Sequence, residues 1–511
     1  MFRLLFLLPL ASPIRPPGAR AFTLLLAAGG TLGTLAGCAS SDPGGAFAGV
    51  QSAVTERAGR GVDVRWNRDP ATDAQTKEAV ERLLRRGPLT ADTAARVAVL
   101  NNRSLQAEFE EIGIAHADYI QAGLLSNPEF STSFRFPNRP PSVVDAEYAL
   151  AANVLDLFLL PARRKVAARE LERTKSRVAG EVLGLIAETK AAVYTFQARQ
   201  QLVERLGLIA QTNDAAAQLA RSLHDAGNIT DLEFNTQQAP AVQAQTEAMQ
   251  AQVQIRSDRE RLNRLMSLDG TQAASWRAAK TLPAIPTHDP STREIESVAV
   301  ARRLDLAAAR TNVDAVGQAL ALRTNTRFLP ASITLGVDTE RDTDRQRVTG
   351  PTLDLQVPLF DQGQGAIAKL QAQYRQAQRQ LEGAEINARS ELREARAVLK
   401  ASRALALRYR DTVVPQYRQI VDQTQVQYNA MQRGGYDLLT SRERELSAER
   451  GYLEAWRDYW IARVNLERAL TGGSNADMGG TSRAASESVS SPGGISSSVS
   501  TRAASAHGTG E

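Results

Sequence analysis

Apolar and polar residues alternate along four short segments of the chain, which occur as two pairs. The first pair covers Glu129 to Phe136 and Glu147 to Val154, and the second covers Ile333 to Asp338 and Thr352 to Val357. A period of two predicts β-strands with one apolar and one polar face, because successive side chains point to opposite sides. Such strands suit a barrel with lipid outside and water inside; the alternative, a half-buried sheet in a soluble domain, would show the same alternation. The loops within the pairs are polar or proline-rich and are predicted over Pro137 to Val144 and Glu340 to Thr349.

Long helices are predicted for most of the remaining chain. Between Val178 and Leu206 the apolar residues keep a near-heptad spacing, which is typical of helices that pack along their length. A helix of about 60 residues reaches about 90–100 Å at 1.5 Å per residue. Pro240 and Pro415 are expected to kink or interrupt their helices. The predicted helices cover Ala162 to Asp225, Asp231 to Leu268, Ala366 to Arg433 and Asp437 to Leu470.

The chain contains an internal tandem repeat. The segment Asn102 to Ala107 recurs as Arg303 to Ala308, and Leu155 to Phe158 recurs within Gln356 to Asp361. Both matches give an offset of about 200 residues, which indicates two similar halves. We therefore divide the chain into a signal peptide (1–37), an N-terminal segment (38–88), a first repeat (89–281), a linker (282–293), a second repeat (294–471) and a disordered Gly/Ser-rich tail (472–511).

The N-terminal residues predict export and lipid attachment. Two arginines precede an apolar and small-residue run from Ala21 to Gly37, as in a secretory signal peptide. The run ends in Leu35-Ala36-Gly37-Cys38, which matches a bacterial lipobox; the alternative is a lone cysteine after an ordinary signal peptide. Ala39, rather than aspartate, follows Cys38 and favours sorting to the outer membrane. Several acyl chains on Cys38 would hold the protein firmly at a membrane.

Composition and motif content exclude several functional classes. The 511 residues carry 61 Lys+Arg against 56 Asp+Glu, and a net charge of +5 is too small for a dedicated nucleic-acid binder of this length. The sequence has no phosphate-binding loop and no nucleophile elbow. We therefore predict that the protein is not an enzyme and has no catalytic residues, no cofactor and no metal site. The histidines lack the spacing of metal ligands: His116, His224, His288 and His507.

Several short motifs, taken in order along the chain, resemble those of TolC-type outer-membrane efflux factors. They are Leu89-Thr90 with Asn101-Asn102, the run from Ala122 to Pro128, and Val357 to Asp361 with Gly363. The resemblance extends from Leu89 to Gly472 and is greater for the lipid-anchored members. It implies a homotrimer in which long antiparallel helical hairpins form an α-barrel. Four strands per chain would contribute to a twelve-stranded transmembrane β-barrel, and Pro415 would lie in an equatorial belt around the tunnel.

The resemblance also implies where the tip of the α-barrel is closed. Thr230 and Asp231 match first-half positions that bond to a neighbouring hairpin, and Tyr428 and Arg433 match their second-half partners. The alternative interpretation of these residues is a helix cap or a solvated surface pair. Glycines are expected to reverse the chain in the two turns, because they tolerate conformations that strain other residues. The turns assigned to adaptor docking contain Gly227, Asn228, Gly434 and Gly435.

An acidic ring is the second expected feature of the tip. Asp437 matches an acidic position at the constriction of the family, and Thr440 stands where some members have a second aspartate. Three copies of Asp437 around a narrow axis would attract cations. Because Thr440 is uncharged, this ring would carry less negative charge than in members that have the second aspartate.

These features predict a passive exit duct of a tripartite efflux pump, lipid-anchored in the outer membrane and extending into the periplasm. The implied partners are two further copies of the chain, a periplasmic adaptor protein, an inner-membrane pump of the RND type, and outer-membrane lipid; no nucleic acid is expected. Two alternatives stay open: the outer-membrane duct of an ABC-driven polypeptide secretion system, and a periplasmic coiled-coil lipoprotein scaffold without a pore. The residues do not indicate whether drugs, metal ions, solvents or polypeptides are exported.

Overall fold

The computed structural model describes residues 42–59, 61–136, 138–139, 143–289, 300–330, 332–341 and 345–473. The predicted signal peptide, the lipid site at Cys38 and the tail beyond residue 473 lie outside the described residues. From Gly44 onward the described chain is mostly helical and contains one small antiparallel sheet. The predicted fold class, mainly helical with a small β part, is therefore confirmed for the single chain.

The helices before the sheet are short, and those after each strand pair are long. Helices α1 to α4 cover Gly44–Ala58, Pro70–Arg85, Ala91–Asn101 and Arg103–Gln121. Strands β1 and β2 follow at Glu129–Arg135 and Asp145–Asn153. The first long hairpin consists of α5 (Leu155–Asp225) and α6 (Asp231–Met266), followed by the short α7 (Gly270–Ser275). The second repeat supplies α8 (Leu304–Asn325), β3 (Ile333–Arg341), β4 (Arg347–Leu355), α9 (Gln364–Arg408), α10 (Val414–Asn429) and α11 (Gly435–Thr471).

Helix α5 begins earlier than the predicted start at Ala162. It is 71 residues long, or roughly 107 Å at 1.5 Å per residue, and it includes Pro161. The Leu155 N–H donates to the Asn153 side chain at 3.0 Å, which satisfies one of the free donors at the helix start. Asp156 in the first turn accepts from Arg163 at 2.8 Å and from Ser126. The predicted start was too late because Pro161 lies within the second turn of the helix rather than before it.

The two helical prolines have different consequences. Helix α6 continues without interruption through Pro240. Before Pro415, by contrast, the helix widens into a π-helical turn over Tyr409–Val413, which separates α9 from α10. Proline cannot donate a backbone hydrogen bond and its ring crowds the carbonyl four residues earlier, and a π turn accommodates this crowding. The predicted interruption is thus confirmed at Pro415.

The Asn101-Asn102 motif joins the start of the first repeat to the end of its hairpin. The Asn101 Nδ2 donates to the Met266 and Ser267 carbonyls, both at 2.8 Å. The Asn102 Nδ2 donates to the Leu265 carbonyl at 2.8 Å, while its Oδ1 accepts the Leu105 N–H and caps α4. The motif therefore satisfies carbonyls that would otherwise stay free at the end of α6.

The second repeat makes the equivalent junction with a different residue. Arg303, which aligns with Asn102, is 5% exposed and donates through Nη1 to the Ala469 carbonyl near the end of α11 at 3.0 Å. Its other nitrogens bond to Asp305 at 2.7 Å and to Glu391 at 2.9 Å. The repeat thus preserves the hydrogen bond to the helix end while the donor changes from an amide to a guanidinium.

The linker after the first repeat is fastened to the second-half helices. The carbonyl of Pro283 accepts hydrogen bonds from both Trp456 and Trp460 of α11, each at 2.9 Å. Arg403 of α9 forms an ion pair with Asp289 at 3.0 Å. The described part of the linker therefore packs against α9 and α11.

The four strands form one sheet in the order β1-β2-β3-β4, with all neighbours antiparallel. The central pairing, from Ala146↔Arg341 to Asn153↔Thr334, joins the two repeats. Strand β3 extends to Arg341 and β4 begins at Arg347, so the predicted loop over Glu340 to Thr349 was too long. Strand β4 also ends at Leu355 rather than at Val357. Polar residues at the loop ends of β3 and β4 obscured the alternation of apolar and polar positions in the sequence.

One face of the sheet is apolar and exposed. Phe130 pairs with Leu150, Leu150 with Val337, and Leu335 with Leu353, which places these side chains on the same face. Phe130 is 67% exposed, Leu353 59% and Leu335 53%, so no helix of the described chain covers them. An exposed apolar surface of this kind marks a contact with lipid or with another protein.

The opposite face of the sheet is polar and organised around one arginine. Arg135 lies 3.1 Å from Asp145, 3.1 Å from Glu147 and 3.6 Å from Glu340. The predicted division into an apolar and a polar face is confirmed. Within the described ranges, none of the helices combines the length and the apolar character required to cross a membrane.

Candidate functional site

The two tip turns connect the helices of the long hairpins and contain most of the predicted site residues. In the first turn, α5 ends at Asp225 and Gly227 adopts a left-handed conformation with φ +72°. The Gly227 N–H donates to the His224 carbonyl and the Asn228 N–H to the Leu223 carbonyl, both at 2.8 Å. This hydrogen-bond pattern is a Schellman motif, which ends a helix through a left-handed residue. The expectation that Gly227 reverses the chain is therefore confirmed, whereas its part in adaptor docking stays a prediction.

The second turn has the same hydrogen bonds, but the left-handed residue is Met431. Its φ is +57°, its N–H donates to the Tyr428 carbonyl at 2.9 Å, and the Gln432 N–H donates to the Gln427 carbonyl at 2.9 Å. Gly434 has an ordinary φ of −83° and precedes α11. The expectation that Gly434 and Gly435 reverse the chain was wrong, because the reversal occurs earlier, at Met431.

Gly435 instead allows the two hairpins to pack closely against each other. A Cβ placed on Gly435 would lie 3.2 Å from the Leu219 Cδ2 of α5, closer than side chains usually approach. Leu219 belongs to the first hairpin and Gly435 to the second. The two tips therefore lie side by side within one chain.

Both return helices begin with a carboxylate that bonds back to the cap residue. In the first hairpin the Glu233 carboxylate accepts from the Thr230 N–H at 2.9 Å, and the Thr230 Oγ1 accepts from the Glu233 N–H at 3.3 Å. In the second, the Asp437 Oδ2 accepts from the Gly434 N–H at 3.2 Å. Asp437 is therefore the counterpart of Glu233 in the second repeat. Each carboxylate lies at the N-terminus of its helix, where the positive end of the helix dipole stabilises its negative charge.

The capping bonds affect the titration of Glu233. Hydrogen bonds from the Thr230 backbone N–H and from its hydroxyl favour the charged carboxylate, and they hold the pKa of Glu233 below its usual value. Glu233 is thus expected to stay ionised under mildly acidic conditions.

Asp231 lies beside a histidine of its own hairpin. Its Oδ1 is 2.7 Å from the His224 Nε2, and the His224 ring stacks on Phe234 with centroids 4.9 Å apart. Asp225 is 3.7 Å from the Nδ1 of the same ring. In the single chain, His224 and Phe234 therefore join the two helices of the first hairpin on the inner side of the turn.

The second-half site residues also make contacts within their own hairpin. The Arg433 Nε donates to the Gln427 Oε1 at 3.2 Å, and Arg433 Nη1 lies 3.9 Å from the Asp437 carboxylate. Tyr428 is 43% exposed and Thr440 is exposed as well. The described chain brings Arg433 to Asp437, whereas the bonds from Tyr428 and Arg433 to Thr230 and Asp231 stay predictions.

Sequence reasoning missed three residues of the tip. His224 gave no signal, because its partner lies across the turn. Glu233 could have been found, because Thr230-Asp231-Leu232-Glu233 has the spacing of a capping box. Tyr436 was passed over; its hydroxyl is buried without a hydrogen-bond partner among the described residues, and burial raises its pKa. Within the same residues, no group of three or more His, Cys, Asp or Glu side chains has the arrangement of a metal site.

The chain has relatives among known proteins, although no family model matches it. It is 24% identical to the cobalt-zinc-cadmium resistance protein CzcC of Cupriavidus metallidurans over 392 residues, which cover 75% of this chain and 90% of the relative. The crystal structures of CusC, which concern transmembrane channel formation, match with a TM-score of 0.62 at 14% identity, covering 75% of this chain and 92% of CusC. The CmeC outer-membrane channel of Campylobacter jejuni matches with a TM-score of 0.60 at 15% identity, covering 83% of this chain and 91% of CmeC.

Proposed function

We propose that this chain is a TolC-type outer-membrane efflux factor and that three copies of it form the passive exit duct of a tripartite efflux pump. A periplasmic adaptor docks on the tip turns and opens them, and an inner-membrane pump of the RND type supplies the energy. Lipid on Cys38 anchors each copy in the outer membrane. The relative CzcC is a cobalt-zinc-cadmium resistance protein, which makes divalent metal ions the first cargo to test.

The exposed apolar face of the sheet carries this proposal. Phe130, Leu150, Leu335 and Leu353 stand on one face at 49–67% exposure, while the ion pairs of Arg135 occupy the other. In a membrane the first face would contact lipid and the second would line water. A pore-free periplasmic scaffold would leave this face in water unless another protein covered it.

The unpaired edges of the sheet support the assembly of several copies into a ring. Strands β1 and β4 each have one unpaired edge in the described chain. Four strands are too few to close around a pore, and unpaired edges in lipid would leave backbone groups without hydrogen bonds. Pairing β4 of one copy with β1 of the next in a ring of three copies satisfies both edges.

The tip turns would form the narrow end of the duct. In a trimer three copies of Asp437 approach the axis, and each carboxylate attracts cations. Arg433, 3.9 Å from the same carboxylate, offsets part of its charge. We therefore infer a weak preference for cations, which Thr440 does not reinforce.

Single-channel conductance in a planar bilayer tests this function. We expect small cation-preferring steps from the purified trimer and a loss of cation preference in Asp437→Ala. Glu233→Gln is the matched control, because it removes the corresponding carboxylate of the other hairpin and should leave selectivity unchanged. If Asp437→Ala conducts with unchanged ion selectivity, the protein is a duct but Asp437 does not line its constriction. If trimers conduct no ions even with adaptor bound, the duct itself is refuted.

A further inference from the structure

We propose that Met431 anchors the docking partner of the second-half tip turn, and that this partner offers an apolar socket flanked by basic side chains. This inference rests on the proposed function, because it names the contact through which the adaptor would engage the tip.

The internal repeat provides a direct comparison for Met431. Gly227 and Met431 occupy the same position of two Schellman motifs with matching hydrogen bonds. Their φ values, +72° and +57°, are both in the left-handed region. Glycine adopts this region freely, whereas an L side chain crowds the backbone there. Glycine in the first turn adopts this conformation without strain, whereas methionine in the second turn is strained.

Two other non-glycine residues of the described chain are left-handed: the exposed Arg345, with φ +69°, and Ser267. Ser267 is also left-handed, with φ +47°, and its hydroxyl accepts the Arg103 N–H at 3.1 Å. Its amino-acid identity is therefore explained by a contact inside the chain. The side chain of Met431 is 95% exposed, so it gains almost no packing within the described chain. Any contact that compensates for the conformation of Met431 therefore lies outside the described residues of this chain.

The chemistry of that contact follows from the side chain and its surroundings. Methionine is flexible, apolar and polarisable, and it fits irregular apolar pockets. The equivalent segments 221–237 and 425–441 contain four carboxylates, at Asp225, Asp231, Glu233 and Asp437, against two guanidinium groups, at Arg221 and Arg433. With histidine neutral, the tip is net negative. A partner with an apolar socket and a basic rim is therefore complementary to it.

Binding of the full-length trimer in detergent to the purified periplasmic adaptor tests the assignment. Met431→Gly should weaken binding by at least about tenfold, as the loss of a central anchor does, without lowering the thermal unfolding midpoint of the trimer. Met431→Leu keeps an apolar side chain of similar volume and should bind within about threefold of the wild type. Met249→Leu is the matched control, because Met249 is 61% exposed on α6 and away from the turn.

The outcomes separate this assignment from the proposed function. If the wild type and Met431→Gly bind the adaptor equally, Met431 is not the anchor, although the duct stands. If Met431→Leu fails like Met431→Gly while the wild-type trimer binds Ag(I) added alone, the thioether is a soft-metal ligand and the protein-socket assignment is wrong. If the wild-type trimer binds no adaptor and conducts no ions, the proposed function itself is refuted.

Discussion

Replacing Asn101 by aspartate should be among the most damaging isosteric changes in this protein. Asn101 is 7% exposed, and its Nδ2 donates to the Met266 and Ser267 carbonyls at 2.8 Å. Aspartate has the same shape, but when ionised it has no donor. It would therefore leave two carbonyls at the end of α6 unsatisfied and place a negative charge against the negative end of the helix dipole.

The expected destabilisation can be worked from these contacts. An unsatisfied buried polar group costs about 1–3 kcal/mol, so that two lost bonds and the added repulsion together cost about 3–5 kcal/mol. Asn102→Asp is the matched control, because it loses one donor to Leu265 but keeps the oxygen that caps Leu105. Aspartate caps helices as well as asparagine does, so we expect a loss of about 1–2 kcal/mol for Asn102→Asp.

Denaturant unfolding of the detergent-solubilised protein, followed by far-UV circular dichroism, measures both losses. Asn101→Asp should lower the unfolding midpoint clearly more than Asn102→Asp does. Equal effects of the two variants, or a loss below about 1 kcal/mol for Asn101→Asp, would show that this junction does not hold the helix end as described.

Three further predictions concern the linker and the first tip turn. Trp460→Phe removes one of the two indole donors to the Pro283 carbonyl, and we expect faster proteolysis in the linker with unchanged helix content by circular dichroism. Gly227→Ala should destabilise the first turn by about 1 kcal/mol, since φ is +72° there, and amide hydrogen exchange should accelerate around the turn. The depressed pKa of Glu233 implies that its cap stabilises the turn above pH 4.5, its ordinary pKa, and loses this effect as the pH falls through the lower folded value. Proteolysis at the turn should therefore rise in acid for the wild type more than for Glu233→Gln, in which the amide still accepts the Thr230 N–H; an identical acid response of the two proteins would contradict this assignment.

Much of the fold could be predicted from the sequence because its periodic signals are strong. The strands at Glu129 and Ile333 show a clear period of two, and the helices show apolar spacing over many turns. Boundaries were less predictable, because they depend on single contacts. The start of α5 at Leu155 depends on the Asn153 side chain, and β4 begins at Arg347 through pairing with Arg341 rather than through its own composition.

The positions of the two tip turns could be predicted from the sequence, but the residue that reverses the chain in the second turn could not. Gly227 signals a left-handed turn, whereas nothing in the sequence marks Met431 as the residue that takes this conformation. The role of Asp437 as a capping residue becomes visible only when its bond to Gly434 is compared with that of Glu233 in the first hairpin. The assignments of Tyr428 and Arg433 to bonds between hairpins concern an assembly of several copies, which a single chain does not test.

The pairing of β2 with β3 has a consequence for the biogenesis of the protein. In the proposed duct the chain is exported from its N-terminus, and because β3 belongs to the second repeat, β1 and β2 would emerge first and lack a neighbouring strand until β3 follows. A lone two-stranded hairpin is marginally stable in water, and this one also exposes Phe130 and Phe134 beside an unpaired edge. During the proposed export, the interval between the two halves is therefore one in which the chain exposes an aggregation-prone edge, and a periplasmic chaperone would have to cover it.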